Sequence, residues 1–543
     1  MNIKPLQSIA AKELSATGNI GEDYKQDYRL LEDFVTFLPD QWDKKRLSIK
    51  AHYNQKLRDP LTDGLLEYHQ RLNAPDTVIQ NIQLLAQPDT LVVMTGQQPG
   101  LIGGPMYTIS KAVSVIKLAN KLKAEMQTEV VPVFWSASED HDWAEVNNAG
   151  FLNRQDELIS LNYPITPVYP NLRVGEIPLA PVPEFWQRLE QELIPTEFTP
   201  PLLTLLSDTH NQSGNWGEWF ARLLWKLFGQ WGLIIADANL PALRNLLQPI
   251  IKRAIKEPLH YSRLVNEQGE KLAALGYKEQ IKRPPQACCF FLVDEQGRRQ
   301  RVDFVDGFYR TETAEYTQQD LTRKLKEEPQ AFSANVVLRP AGGDYLFPNL
   351  AYIGGDAEIA YFAQLQPVYQ HLGVEMPILL PRHSFTLVEG RIGKILEEYH
   401  LDLVQLKRQP AQLLKQVLRQ ECRLAGQDYW LNLRREMLTP LQRLRQDLEQ
   451  ENLPTAPLDL GLGKIDWQLN QIEEKVVQQY QKNNQLLRQR INRAQNSLFP
   501  QGNYQERTLN FFYFYNKYGP ELLPALVDAL PEDSRPHYFL GIS

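Results

Sequence analysis

Leu91-Val92-Val93-Met94-Thr95-Gly96-Gln97-Gln98-Pro99-Gly100-Leu101-Ile102-Gly103-Gly104-Pro105 opens the stretch that decides the fold, which runs on to Asp142. Its apolar start breaks into a glycine-rich turn. Tyr107 to Lys123 then sets Ile109, Val113, Ile116 and Leu122 near one face of a helix. A second apolar run, Val130 to Trp135, ends in Ser136-Ala137-Ser138-Glu139-Asp140-His141-Asp142. Strand, turn, helix, strand predicts a parallel pair, because parallel strands need a crossover and a helix is the usual one. Ligands bind at the carboxyl edge of such sheets. The glycine turn and the acid/His cluster are therefore read as walls of an active-site cleft.

Outward from this stretch the pattern repeats. Leu233 to Ala236 reads as a buried strand ending in Asp237, and Val336-Val337-Leu338 as another ending in Arg339-Pro340. Ala351-Tyr352-Ile353 leads into Gly354-Gly355, then into a helix from Ala357 to His371 capped by Asp356, and Pro377 to Leu380 ends in Pro381-Arg382. Two such units, separated by insertions at about 150–230 and 257–333, predict a doubly wound α/β domain over residues 1–384. Before it, residues 1 to about 88 read as helical, over Tyr24–Phe37, Trp42–Tyr53 and Asp76–Leu85 with Asp76 as N-cap. From 385 to 500 loosely heptad-spaced apolar residues (Leu441, Leu444, Leu448; Ile465, Leu469, Ile472, Val476) among Gln, Glu, Lys and Arg predict an antiparallel coiled coil. Its break is placed at Pro454–Gly463, and Asn483 falls in its seam. The aromatic segment 501–543 is expected to dock back onto the core.

Composition narrows the function. At 543 residues the chain exceeds the roughly 250–300 residues at which single cores stop growing. With 43% hydrophobic and 23% charged residues it is neither disordered nor membrane-spanning, and no signal peptide is read at its start. A net charge of −7 argues against nucleic-acid partners. Cys288, Cys289 and Cys422 read as small buried hydrophobes in a reducing compartment, so a cytoplasmic location is expected.

Each candidate site carries a plainer alternative. The turn at 95–105 has neither a Walker ending nor GxGxxG spacing, yet glycine amides and a helix N-terminus favour an anion, with Gln97 and Gln98 as neutral donors. Tight packing alone is the alternative. The acid/His cluster could bind a metal, but on an extended backbone only two of its members share a side, so no metal site is expected there. Acid/base work or amine recognition by His141 and Asp140 is favoured, since His141 beside carboxylates titrates near neutral pH. Arg339 is a fork for phosphate or carboxylate, or half of a structural ion pair.

Taken together these blocks resemble the BshC family, the cysteine-adding ligase of bacillithiol biosynthesis. The resemblance is carried by Thr95-Gly96-Gln97-Gln98-Pro99-Gly100, Gly103-Gly104-Pro105 and Tyr107, then by Glu139-Asp140-His141-Asp142 and Leu338-Arg339-Pro340. It continues through Tyr352-Ile353-Gly354-Gly355, Glu358-Ile359-Ala360-Tyr361, Pro381-Arg382, Ser384 and Gln505-Glu506-Arg507 to Asn516-Lys517-Tyr518-Gly519. His537-Tyr538-Phe539-Leu540 departs from the family's His-x-Val-hydrophobic ending. The resemblance implies a Rossmann-like core with two connecting-peptide insertions, a coiled-coil domain that forms a homodimer, and amide formation between cysteine and glucosaminyl-malate. It also implies a site for ADP away from the main cleft, for which Ser384, Phe385, Arg507 and Asn510 are carried over. A free carboxylate is a poor acyl donor, so ATP is the expected co-substrate, with no tightly bound cofactor. On this reading Gln97, Gln98, Gly103 and Gly104 cradle the phosphates or activated acyl group, His141 and Asp140 handle the amine, and Arg339 holds a carboxylate. Tyr107, Tyr352, Gly354 and Gly355 complete the substrate side. A non-catalytic nucleotide-binding scaffold and a metal-assisted amide hydrolase are the rival readings.

Overall fold

The computed structural model describes residues 1–15, 19–421, 427–483 and 485–543. Five strands form the central sheet: β1 (Leu91–Gln97), β2 (Val130–Ser136), β3 (Ile234–Asp237), β4 (Asn349–Gly354) and β5 (Ile378–Pro381). Their order is β5-β4-β1-β2-β3 and every pairing is parallel. The register aligns the carboxyl ends, with Gln97 beside Ser136, Ser136 beside Asp237, and Gly354 beside Pro381. That alignment is why residues far apart in sequence meet at one edge.

The strands are apolar throughout because both faces are covered. β2 is buried along its whole length, although Pro132 lies within it. Helix α1 (Met106–Met126) crosses from β1 to β2 and is buried on nearly all sides, from Ile109 to Ile116 without a break. Each fully buried Val, Leu, Ile or Phe contributes roughly 1.5–3 kcal/mol, so this layer dominates the stability of the core.

Several expectations change. Val336-Val337-Leu338 is not a strand. Val337 and Leu338 are buried, and helix α2 (Arg339–Leu346) begins at once, with Pro340 in its first turn where a missing N–H costs nothing. Arg339 therefore stands at a helix start. The helix expected over 357–371 is two, α3 (Asp356–Phe362) and Gln366–Leu372, with Pro367 opening the second. Asp356 and Asp76 are first-turn residues, the N-cap positions being Gly355 and Pro75. Tyr24–Phe37 is a short helix, Ile20–Gln26, followed by a 3-10 turn, Tyr28–Leu31.

The second insertion carries an antiparallel sheet, with Ala287–Val293 between Arg299–Val305 and Phe332–Ala334. In a further sheet Ile3–Ile9 pairs antiparallel with His537–Ile542, which lies next to Ser384–Glu389.

The chain divides into two compact units, residues 1–387 with 504–543, and residues 388–503. In the second, Gln427–Gln450 and Ala456–Asn483 run antiparallel, as Arg445–Asp459 (2.8 Å) and Arg434–Glu473 (2.8 Å) show. The break is shorter than expected, because Gly461 and Gly463 lie inside the returning helix. Leu469 and Val477 are buried in this unit, whereas Leu444 and Ile472 are 45% and 47% exposed. Cys422 and the side chain of Asn483 lie outside the described residues. No described helix is long and apolar enough to cross a membrane.

Candidate active site

A cavity of about 350 Å³ opens at the carboxyl edge of the sheet. From β1 and the residues after it come Gly96, Gln97 and Gln98, and from α1 Tyr107 and Lys111. Trp135, Asp140 and Glu145 arrive from β2 and its loop. Arg339 comes from α2, Tyr352 from β4, Gly355, Glu358 and Tyr361 from α3 and its approach, and Arg382 and Arg507 from farther on.

One wall is acidic and ordered by an amide. Gln98 Nε2 donates to Asp140 Oδ2 (3.0 Å) and to Glu145 Oε2 (2.9 Å). Burial pushes the Asp140 carboxyl up, but the charges of Arg339 and Arg299 and the His141 backbone N–H bring it below the usual carboxylate value. Arg299 reaches Asp140 at 3.7 Å from the second insertion, stacked over Phe291 and fixed by bonds to Ser333 and Ala334.

The other side is basic. Lys111, only 2% exposed, pairs with Glu358 at 2.5 Å and donates to the Gly96 carbonyl (2.6 Å) and Gln97 Oε1 (2.9 Å). Burial lowers its pKa and Glu358 opposes that. Tyr352 Oη and the Gly355 N–H both donate to Glu358, each at 2.8 Å. Arg382 holds Glu506 through both oxygens, at 2.7 and 2.8 Å. Burial raises the Glu506 carboxyl, but Arg382 outweighs it and sets it at about 2. Arg339 and Arg507 are committed to no ion pair among the described residues, and burial of Arg339 is outweighed by Tyr361, Glu139 and Asp140, which raise its pKa.

The acid/His cluster separates into four roles. Glu139 is buried, 3.1 Å from Arg244 and accepting from Ser333 Oγ (3.0 Å). Asp142 caps the turn Trp143–Val146. Only Asp140 lines the cavity. His141 is half-buried against Phe291, its Nδ1 makes no hydrogen bond, and burial and Arg299 together outweigh the nearby carboxylates and lower its pKa. Asp237, the carboxylate ending β3, is buried and accepts from Ser138 Oγ and the Asn239 N–H.

Gly103 and Gly104 are not in the cavity. Both have positive φ (85° and 77°), and Asn510 Nδ2 donates to the carbonyls of Ile102 (3.0 Å) and Gly104 (2.8 Å) beneath a buried turn. The N–H of Met106, at the start of α1, is taken by the Leu509 carbonyl (2.9 Å). The turn is thus covered by the C-terminal segment, and the Gly104 N–H is taken by the Leu101 carbonyl (3.0 Å). Gly354 likewise does not line the cavity, and Ser384, Phe385 and Asn510 lie outside it. Ser384 Oγ donates to Glu506 (2.7 Å) and meets His537 Nδ1 (2.7 Å), and the Phe385 N–H donates to Glu506 (3.2 Å). Of the residues carried over for ADP, Arg507 alone reaches the cavity.

Lys111, Glu145, Tyr361 and Arg382 were missed as site residues. Lys111 had one legible signal: it follows Tyr107 by four residues, so both share a helix face.

A parallel sheet in this order, with a charged cavity at its carboxyl edge, defines a Rossmann-like domain. The family models agree. One described as the N-terminal Rossmann-like domain of bacillithiol biosynthesis BshC matches residues 5–383, and one described as its C-terminal coiled-coil domain matches residues 385–542. The chain belongs to the BshC family. Relatives named "Putative cysteine ligase BshC" include those of Salinibacter ruber (30% identical, covering 97% of each chain) and Natranaerobius thermophilus (31%, covering 93% of this chain and 94% of the relative). That of Bacillus cereus is 29% identical, covering 98% of this chain and 96% of the relative.

Proposed function

We propose that this cavity joins the carboxylate of cysteine to the amine of glucosaminyl-malate, the closing step of bacillithiol synthesis. The observation that carries the reading is the pairing of unlike charges in one cavity: Asp140 and Glu145, held by Gln98, with Arg339 and Arg507. A substrate with an ammonium group and a malate dicarboxylate has the complementary charges. Planar guanidinium forks suit the carboxylates, and carboxylates suit the ammonium.

Asp140, kept ionised, is a weak proton acceptor, so its role is to hold and orient the amine. His141, kept neutral one residue further on, would take the proton the amine loses. ATP would activate the cysteine carboxylate as an acyl-adenylate or acyl-phosphate. The amine then attacks the acyl carbon, and the C–N bond forms as the bond from that carbon to the phosphate oxygen breaks. AMP leaves (after pyrophosphate) or inorganic phosphate leaves (after ADP), and the amine proton passes to a base. The hydrolase reading is weakened because Glu139 and Asp142, the further ligands a metal at this cluster would need, are engaged by Arg244 and by a helix cap.

The test is synthesis from cysteine and glucosaminyl-malate by the purified protein, with and without ATP, following thiol product and nucleotide. Product that requires ATP, and falls by roughly 100-fold or more in Asp140→Asn, supports the assignment. Product in that variant at the wild-type rate would remove Asp140 from the site.

A further inference from the structure

Glu257, His260 and His371 lie outside the cavity. Glu257-Pro258-Leu259-His260 leaves the helix Gln248–Lys256 and opens His260–Ala274, the first helix of the second insertion. His371 comes from the last turn of Gln366–Leu372, beside the core. One donor atom from each lies within 4.8 Å of the others. His371 Nε2 is 2.7 Å from Glu257 Oε2, and the two imidazole centroids are 4.2 Å apart. The surroundings hold the group in place. The buried ring of Tyr261 packs edge-on against His371 at 5.5 Å, and Arg253 Nη1 donates to the carbonyls of Leu372 (2.6 Å) and His371 (3.4 Å).

We infer that these three side chains form a site for a divalent cation of the zinc class, which clasps the base of the second insertion to the core. Two imidazoles and one carboxylate are the donor set of borderline metals, whereas calcium and magnesium require oxygen cages. Glu257 and His371 are exposed and His260 half-buried, so an ion would have entry from solvent and room for water at a fourth position. The ligands also have the separation a clasp needs. Glu257 and His260 are three residues apart at the insertion's entry, and His371 lies beyond its end, so one ion closes a long loop. Arg253, beside His371, has its guanidinium bound to the backbone carbonyls of His371 and Leu372 rather than to Glu257.

The full-length protein, stripped with chelator, is titrated calorimetrically with zinc chloride and separately with calcium chloride. One equivalent of zinc and no calcium is expected. His260→Ala and His371→Ala should each weaken zinc by about tenfold or more, and Glu257→Gln by less. Zinc should raise the thermal midpoint of the wild type and leave that of the double histidine variant unmoved. His52→Ala, at another surface His–Glu pair (3.4 Å to Glu375), should bind as the wild type does. Absence of zinc binding by the wild type, undiminished binding by the double variant, or loss in His52→Ala instead would each overturn the site.

Discussion

After β1 the chain turns through Gly100, Gly103 and Gly104 into α1; after β4 it turns through Gly354 and Gly355 into α3. In sequence both are glycine turns between a strand and a helix at the same sheet edge. In space the first is roofed by the C-terminal segment, with Asn510 on its carbonyls. The second borders the cavity, with Glu358 binding the Gly355 N–H, Tyr352 and Lys111 at once. Glycines report that a turn is tight. What covers the turn decides whether a ligand reaches it.

Four substitutions can break or sharpen this contrast. The largest effect belongs to Arg382→Ala, which leaves Glu506 buried without its cation and should cost about 3–5 kcal/mol in denaturant unfolding. A loss under about 1 kcal/mol would show that the pair is not structural. Its pH signature follows from the sign of the shift. Glu506 sits at about 2 against an ordinary 4.5, so its contribution is complete above pH 4.5 and fades as pH falls toward 2. The wild type should therefore lose stability over that window and Arg382→Ala should lose less.

Asn510→Ala removes bonds to the turn carbonyls and the cap of Phe511–Tyr518, for about 2–3 kcal/mol, with ligand affinity unchanged. Gly104→Ala should cost about 2 kcal/mol, because its φ of 77° and ψ of −170° suit glycine alone and a Cβ would meet Thr108 Oγ1 at 3.1 Å. Weakened substrate affinity with intact stability in either variant would place the first turn in the site after all. Smallest is Arg339→Lys, expected to weaken glucosaminyl-malate about tenfold in a binding titration, with an unfolding midpoint like the wild type's.

The sheet was legible because buried parallel strands leave continuous apolar runs, and β1, β2, β3 and β5 do so. Val336-Val337-Leu338 made the same signal for a different reason. Val337 and Leu338 are buried by packing just ahead of a helix, and periodicity cannot separate the two cases over three residues. In the site, Gln98, Asp140, Arg339 and Tyr352 were readable as polar residues next to apolar runs. Lys111 was readable only through the helix face it shares with Tyr107, since a lysine inside an apolar helix reads as a solvent-facing residue until Glu358, far along the chain, is seen to meet it. The four roles of the acid/His cluster were also hidden. They depend on Arg244, from the helix after β3, and on Arg299 and Ser333, which the second insertion brings near.

The pairing of Ile3–Ile9 with His537–Ile542 bears on how the fold assembles. Two strands very far apart in sequence are partners, and Asn2 and Ser543 are bonded to each other at 2.9 and 3.0 Å. Contacts of such sequence separation form slowly, because the entropy of closing the loop must be met before they stabilise anything. Until this seam closes, each of the two strands lacks one partner and presents an unpaired edge.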